Sequence, residues 1–206
     1  MIDFSKVTNF FIPEGEVQSA MKGSSIVWEK SGYVETEYVQ FNGKTQFDSG
    51  IYGNINTIIE CKWSRDYAEE GGMYIYGCAS NGNTSSLTAY TSPTGGSWRF
   101  GNRAITAFSS CDTDIHVTVH DNIGVTRNGS TAKYSTVSGF TTPYPILIGN
   151  AYNASGDYSV NKLTGKIYYF KLWDSDELIL DLIPVKRNGV DMFFDTISGS
   201  FIQPVK

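Results

Sequence analysis

Two histidines four residues apart, His116 and His120, are the first side chains in this sequence whose type and spacing suggest chemistry, since neutral imidazole is a common metal ligand. They sit in Asp114 to His120, where Ile115, Val117 and Val119 alternate with polar residues, the period of a strand with one buried face. On a strand rising about 3.3 Å per residue, positions four apart stand roughly 13 Å from each other, too far to share an ion. The sequence has no His-Glu-x-x-His, and no serine stands in a Gly-x-Ser-x-Gly elbow. Cys61, Cys78 and Cys111 lack the Cys-x-x-Cys pairs of zinc sites and are expected as reduced thiols packed like small apolar groups. A single Cys61–Cys78 bridge between adjacent strands is the alternative.

Aromatic residues in loops point to a different chemistry. Sugar rings have apolar faces that stack on aromatic side chains, while their hydroxyls bond to nearby Asn, Asp and backbone groups. Tyr90 and Trp98 bracket the Gly-rich loop Thr91 to Ser97, and Tyr144, Tyr152 and Tyr158 lie around Ile148-Gly149-Asn150. These five aromatics and Asn150 are the candidate ligand-binding set, on two loops expected to share an edge. Trp98 also fits a strand, where it would belong to the core. Trp28, Trp63 and Trp173 sit in strand patterns and are expected to be structural.

The elements that hold such loops read as strands. After His120, Asp121-Asn122 closes the strand, Ile123 to Thr126 returns, and Arg127-Asn128-Gly129-Ser130 supplies an Asn-Gly pair able to take the positive φ of a tight hairpin turn. Pro145 to Asn150 is a short apolar strand and Gly165 to Asp174 a long one. Upstream, Thr36 to Phe41, Thr45 to Phe47, Thr57 to Trp63, Met73 to Cys78, Ser86 to Tyr90 and Ser97 to Phe100 continue the series. In Thr57 to Trp63, the residues Ile59, Cys61 and Trp63 form the face expected in the core. Tyr67-Ala68-Glu69-Glu70 could form one helical turn, stopped by Gly71-Gly72.

Composition agrees. With 21 Gly, 13 Tyr, 12 Phe and 18% charged residues, the 206-residue chain matches an all-β protein with many turns. It is long enough for one sandwich without staples. The net charge of −5 and scattered basic residues argue against nucleic acid as a partner. No run of eighteen apolar residues exists to insert in a membrane, and Met1-Ile2-Asp3-Phe4-Ser5-Lys6 lacks the order of a secretory signal, so synthesis and folding in a cytoplasm are expected. Residues 1–30 read as a thin meander of three strand candidates, Val7 to Ile12, Glu16 to Met21 and Ser25 to Glu29, and residues 31–206 as the sandwich.

The order His-Val-Thr-Val-His-Asp (116–121), Val-Thr-Arg-Asn-Gly (125–129), Ile-Leu-Ile-Gly-Asn (146–150) and Leu-Thr-Gly-Lys-Ile-Tyr-Tyr-Phe-Lys-Leu-Trp-Asp (163–174) resembles the laminin G-like and concanavalin A-like lectin/glucanase sandwiches. The resemblance covers roughly residues 35 to 202. It implies a two-sheet antiparallel jelly roll, in which the opening strand, here Tyr-Val-Gln-Phe-Asn-Gly (38–43), pairs with one near the C-terminus. The ending Glu177 to Val190 followed by Phe194 to Phe201 looks like that of such domains in phage tail and gut-bacterial proteins. Lys22 to Lys30 likewise resembles short N-terminal segments of phage virion proteins.

The resemblance brings its own candidate chemistries. Glycoside hydrolases of this group set acidic residues at alternate positions of one strand, but the pattern Glu-x-Asp-x-Glu is absent; Glu35 with Glu37, and Glu69 with Glu70, do not occupy the required position. Lectin-like relatives often hold calcium with Asp and Asn oxygens, for which Asp48, Asp112, Asp114, Asn150, Asn153 and Asp157 are available, Asp112, Asp114 and Asp157 being the weak metal candidates. The expectation is therefore a non-enzymatic adhesion module that binds a host surface glycan, virion or cell-surface associated. The alternatives are a purely structural virion protein that packs on its neighbours or forms a homo-oligomer, and, third, a degenerate glycosidase.

Overall fold

The structure is a computed structural model that describes residues 11–12, 15–16, 19–22, 25–29, 33–66, 71–80, 84–108 and 114–205, the first four segments as backbone strands alone. In chain order the strands are β1 (Phe11–Ile12), β2 (Gly15–Glu16), β3 (Ser19–Lys22), β4 (Ser25–Glu29), β5 (Val34–Glu35), β6 (Val39–Asn42), β7 (Phe47–Asn54), β8 (Thr57–Arg65), β9 (Met73–Cys78) and β10 (Ser86–Ser92). They continue as β11 (Gly95–Gly101), β12 (Arg103–Ala107), β13 (His116–His120), β14 (Gly124–Arg127), β15 (Ser130–Lys133), β16 (Thr141–Ile148), β17 (Thr164–Asp174), β18 (Glu177–Arg187), β19 (Val190–Asp195) and β20 (Ser200–Ile202). None of the described residues is helical, and no helix among them is long and apolar enough to cross a membrane. The expected helical turn at Tyr67 to Glu70 lies outside the described residues.

One sheet has six strands in the order β12-β11-β10-β9-β16-β7. The other has ten, in the order β15-β14-β13-β8-β17-β18-β19-β20, with β5 paired to β18 and β6 to β17. The chain passes from one sheet to the other at β6–β7, β7–β8, β8–β9, β12–β13, β15–β16 and β16–β17, which makes the protein a two-sheet antiparallel jelly-roll sandwich. The opening strand β6 pairs with the start of β17, from Thr164↔Asn42 to Ile167↔Val39. Rings from both sheets close the core between them: Tyr76 of the small sheet meets Phe170 of the large one at 5.5 Å, and Phe47 meets Phe193 at 4.9 Å.

Turn chemistry fixes the registers. Asn128 (φ 46°) and Gly129 (φ 83°) occupy the two central positions of the β14–β15 turn, and Asn188 with Gly189 repeats the solution between β18 and β19. Several elements depart from the sequence reading. In place of the expected three N-terminal strands, the described residues hold four, paired β1–β2 and β3–β4. β7 runs on to Asn54, because its pairing with β16 holds Asp48 to Gly50 in strand despite their weak propensity. β12 is an edge strand whose one buried apolar residue is Ile105, too little periodicity to announce it.

The sharpest departure is β13. The expected apolar face, Ile115, Val117 and Val119, points away from the core: Ile115 is 45% and Val117 36% exposed, whereas His116, Thr118 and His120 are buried. The register decides this, since His116 lies opposite Trp63, Thr118 opposite Cys61 and His120 opposite Ile59 on β8. Directly opposed residues share a face, and those three belong to the core. The inward polar groups find partners. The His116 ring lies 4.7 Å from Trp63, Thr118 donates to the Cys61 carbonyl at 3.3 Å, and His120 stands between the Tyr76 hydroxyl, 3.0 Å from Nδ1, and the Tyr134 hydroxyl, 2.8 Å from Nε2. Cys61 and Cys78 are free thiols on different sheets, so the alternative bridge does not form; burial pushes Cys78 up to about 11 and Cys61 well above its usual range.

Burial also lowers His120 to about 3, so it stays neutral in the folded protein while an unfolded chain takes a proton near pH 6.5. The unfolded state binds the extra proton between these values, so the stability this group supports is complete above pH 6.5 and is lost as pH falls toward 3. Unfolding free energy from urea titrations at pH 7, 5 and 4 is expected to fall more steeply in the wild type than in His120→Gln. The excess should be about 1.4 kcal/mol per pH unit. Equal slopes in the two proteins would show that His120 is not held neutral.

Candidate functional site

The segment 149–163 between β16 and β17 is fastened at both ends. Gly149 donates to the Ile75 carbonyl at 2.7 Å, and Leu163 donates to the Gly149 carbonyl at 2.8 Å. Gly149 has φ +80°, and a Cβ there would stand 2.1 Å from the Phe41 ring, so only glycine fits. The two limbs are zipped by Ser159 donating to the Ala151 carbonyl at 2.9 Å and by a bridge between Tyr152 and Tyr158. At the tip, the Asn153 side-chain oxygen accepts from the amides of Ser155 (2.9 Å) and Asp157 (3.0 Å), ordinary turn-forming bonds.

This geometry brings together three of the candidate tyrosines. Tyr144 and Tyr152 lie with ring centroids 5.3 Å apart and 36° between planes, and Tyr152 and Tyr158 at 5.4 Å and 34°. The Tyr152 hydroxyl donates to Asp48 Oδ2 at 3.2 Å, and Asp48 Oδ1 is held by the Gly50 amide at 2.8 Å. Burial, followed by the Asp48 carboxylate and the Tyr158 phenol, raises the Tyr152 phenol above its ordinary value. Gly156 (φ +84°) lets the stack form, because a Cβ there would lie 2.6 Å from the phenol end of Tyr144. Tyr158 is the exposed member, with Val160 91% exposed nearby in sequence.

The remaining candidates go elsewhere. Trp98 is wholly buried in the core, edge-on to Phe108 at 5.3 Å, with its ring in the space a Gly96 Cβ would fill, so it offers no face to a ligand. Its position on β11 opposite Ala89 and Ile105 put it there. Tyr90 pairs with Tyr74 at 5.1 Å rather than joining the stack. Asn150 is fully buried and spends its amide internally, on Gln46 Oε1 at 2.6 Å and the Ser159 carbonyl at 3.2 Å, so it does not face a ligand. Of the weak calcium candidates, Asp112 lies outside the described residues; Asp114 precedes β13 and Asp157 sits at the loop tip. No group of three His, Cys, Asp or Glu side chains able to hold a metal occurs among the described residues.

The sequence reading missed one cleft. On the large sheet, where β17 and β18 separate around β5, a cleft of about 470 Å³ is lined by Glu35, Glu60, Tyr168, Tyr169, Lys171 and Asp181 among others. A bulge between Ile167 and Tyr169 builds its wall. Glu60 accepts from the Tyr169 hydroxyl at 2.7 Å, and Asp181 is engaged by Lys171 at 3.5 Å and the Thr196 hydroxyl at 3.1 Å. Outward alternation of Glu60 with Lys62 and of Tyr169 with Lys171 was the available signal. The pair Glu35 and Glu37 does not assemble a second carboxylate here, since Glu37 does not line the cleft, and Glu69-Glu70 lie outside the described residues.

No family model matches the sequence, and no curated protein matches it. Among solved structures, the chain is similar to the native heptameric SAP-like pentraxin from Limulus polyphemus, with 14% identity and a TM-score of 0.43 over 69% of this chain and 74% of that one. It is also similar to part of the full extracellular region of zebrafish Gpr126/Adgrg6, with 16% identity and a TM-score of 0.49 over 82% of this chain. The match spans 26% of the zebrafish chain.

Two substitutions test these placements. Trp98→Ala should lower the unfolding free energy by about 3–5 kcal/mol in a urea titration, the cost of a large core cavity; a loss under 1 kcal/mol would place the ring at the surface. Gly156→Ala should cost about 1–2 kcal/mol and remove the near-ultraviolet circular dichroism of the coupled tyrosines, because it strains φ and displaces Tyr144. An unchanged spectrum would argue against the stack.

Proposed function

We propose that the protein is a non-catalytic carbohydrate-recognition module that takes a host surface glycan at the tyrosine stack of the 149–163 loop. The observation that carries this reading is the convergence of Tyr144, Tyr152 and Tyr158 on one another, with the Asp48 carboxylate at the phenol end of the stack. An exposed ring accepts the C–H face of a sugar, and a carboxylate oriented by a phenol accepts from the hydroxyls around that ring. The outer face of Tyr158 is the stacking surface, and Asp48 with the Tyr152 hydroxyl supplies direction. The virion setting, with residues 1–30 as a docking segment, is supported by the resemblance of Lys22 to Lys30 to segments of phage virion proteins and of the C-terminal ending to domains of phage tail and gut-bacterial proteins.

Calorimetric titration with cell-wall and capsular polysaccharides, with and without calcium, tests the reading. The wild type should give a saturable isotherm with at least one of them, and Tyr158→Ala should weaken it about tenfold, ~1.4 kcal/mol, without shifting the thermal midpoint. Flat isotherms with every polysaccharide would overturn glycan recognition in favour of a structural virion role. An isotherm untouched by Tyr158→Ala would move the site off the stack.

A further inference from the structure

We infer that Gln46 and Asn150 are positioning residues for the tyrosine stack: their buried amide pair fixes where Tyr152 and Tyr158 stand. Both side chains are fully buried. Asn150 holds the two limbs of the loop at once, receiving the Ala151 amide on Oδ1 at 2.8 Å and donating through Nδ2 to the Ser159 carbonyl at 3.2 Å. These contacts fall one residue before Tyr152 and one after Tyr158. The same Nδ2 donates to Gln46 Oε1 at 2.6 Å, which anchors the clamp to the body of the sandwich.

Gln46 is itself gripped from the other side, since its carbonyl accepts from Val205 at 2.9 Å and the next residue, Phe47, bridges Pro204. Two positions on, Asp48 takes the Tyr152 hydroxyl at 3.2 Å. A stretch of three residues thus holds the loop by two side chains, one buried amide and one carboxylate. As a device for stability alone the amide pair is poor, because Gln46 Nε2 is buried without a hydrogen-bond partner among the described residues, and an unmatched donor offsets much of what the matched bonds contribute. What the pair supplies that an apolar pair of similar volume cannot is direction, through the bond to the Ser159 carbonyl.

That difference is the test, and its affinity arm rests on the glycan reading while its exchange arm does not. The double variant Gln46→Leu/Asn150→Leu, which strands the Ala151 amide and the Ser159 carbonyl, is expected to lower the urea midpoint, while hydrogen exchange at the Ser159 amide, whose own acceptor is untouched, quickens at least tenfold and polysaccharide affinity falls at least tenfold. A double variant whose loop exchanges at the wild-type rate would overturn the positioning role. Should it fail to fold, Gln46→Met decides, since it removes the Gln46 amide and leaves Asn150 with its bonds to the loop in place: faster Ala151 and Ser159 exchange supports the clamp, unchanged exchange sinks it. A wild type that binds no polysaccharide defeats the recognition reading and leaves the exchange result to decide the clamp. Binding that survives a loosened loop leaves the clamp standing and moves the glycan site off the stack.

Discussion

The register of β8 against its two neighbours is the constraint on which the large sheet depends. Ile59, Cys61 and Trp63 are committed to the core by their bulk, and every residue placed opposite them must follow. On β17 this brings in Leu172, Phe170 and Ile167, which suit the interior. On β13 it brings in His120, Thr118 and His116, which suit it only with partners. The small sheet then has to present Tyr76, and the connection after β15 has to present Tyr134, to complete the chain of hydrogen bonds through His120. One register thus couples both sheets and the link between them, and makes the sandwich's interior partly polar.

Interruptions of pairing do the opposite work and give the surface its features. Between Thr141 and Leu147 the β16 ladder is irregular on its β7 side, where Pro143 and Pro145 have no amide hydrogen to donate. Tyr144 lies between these prolines, released from regular pairing, and leans on the loop that follows. The bulge in β17 similarly turns Tyr168 and Tyr169 to one side, where Lys62 sits 5.0 Å over the Tyr168 ring and Glu60 takes the Tyr169 hydroxyl. Regular ladders build the core of this protein, and their defects aim its aromatic side chains outward.

How much of this was legible follows from the range of the interactions involved. Strand periods and turn residues are local, so β9, the β14–β15 turn at Asn128-Gly129 and the inward face of β8 could be read directly. The facing of β13 could not, because its alternation turns Ile115, Val117 and Val119 toward the core and that local signal is overruled by a partner 57 positions away, Cys61 for Thr118. The same limit divides the site. Tyr144, Tyr152 and Tyr158 were recognisable as loop aromatics, but Trp98 and Asn150 share that description and are core and clamp. Gln46, 104 positions from Asn150, carried no local signal. The cleft beside Glu60 and Asp181 arises where two long strands part, a feature of sheet geometry that no single segment encodes.

The tyrosine stack also limits what the proposed site can do. Rings tilted 34° to 36° against one another shield part of each other, and of the three only Tyr158 is exposed, so it presents most of the ring surface open to a ligand. The stretch that fixes the loop, Gln46 to Asp48, makes that small surface rigid, which reduces the entropy lost on binding. A rigid patch of one ring face and a few polar atoms remains a small contact, and small contacts give weak single-site affinity however well they are arranged. Strong attachment to a surface coated with a repeating polysaccharide would then come from many copies acting together, where the second contact is made at the high effective concentration set by the first. A weak, well-ordered site is the form of recognition that such repetition makes useful.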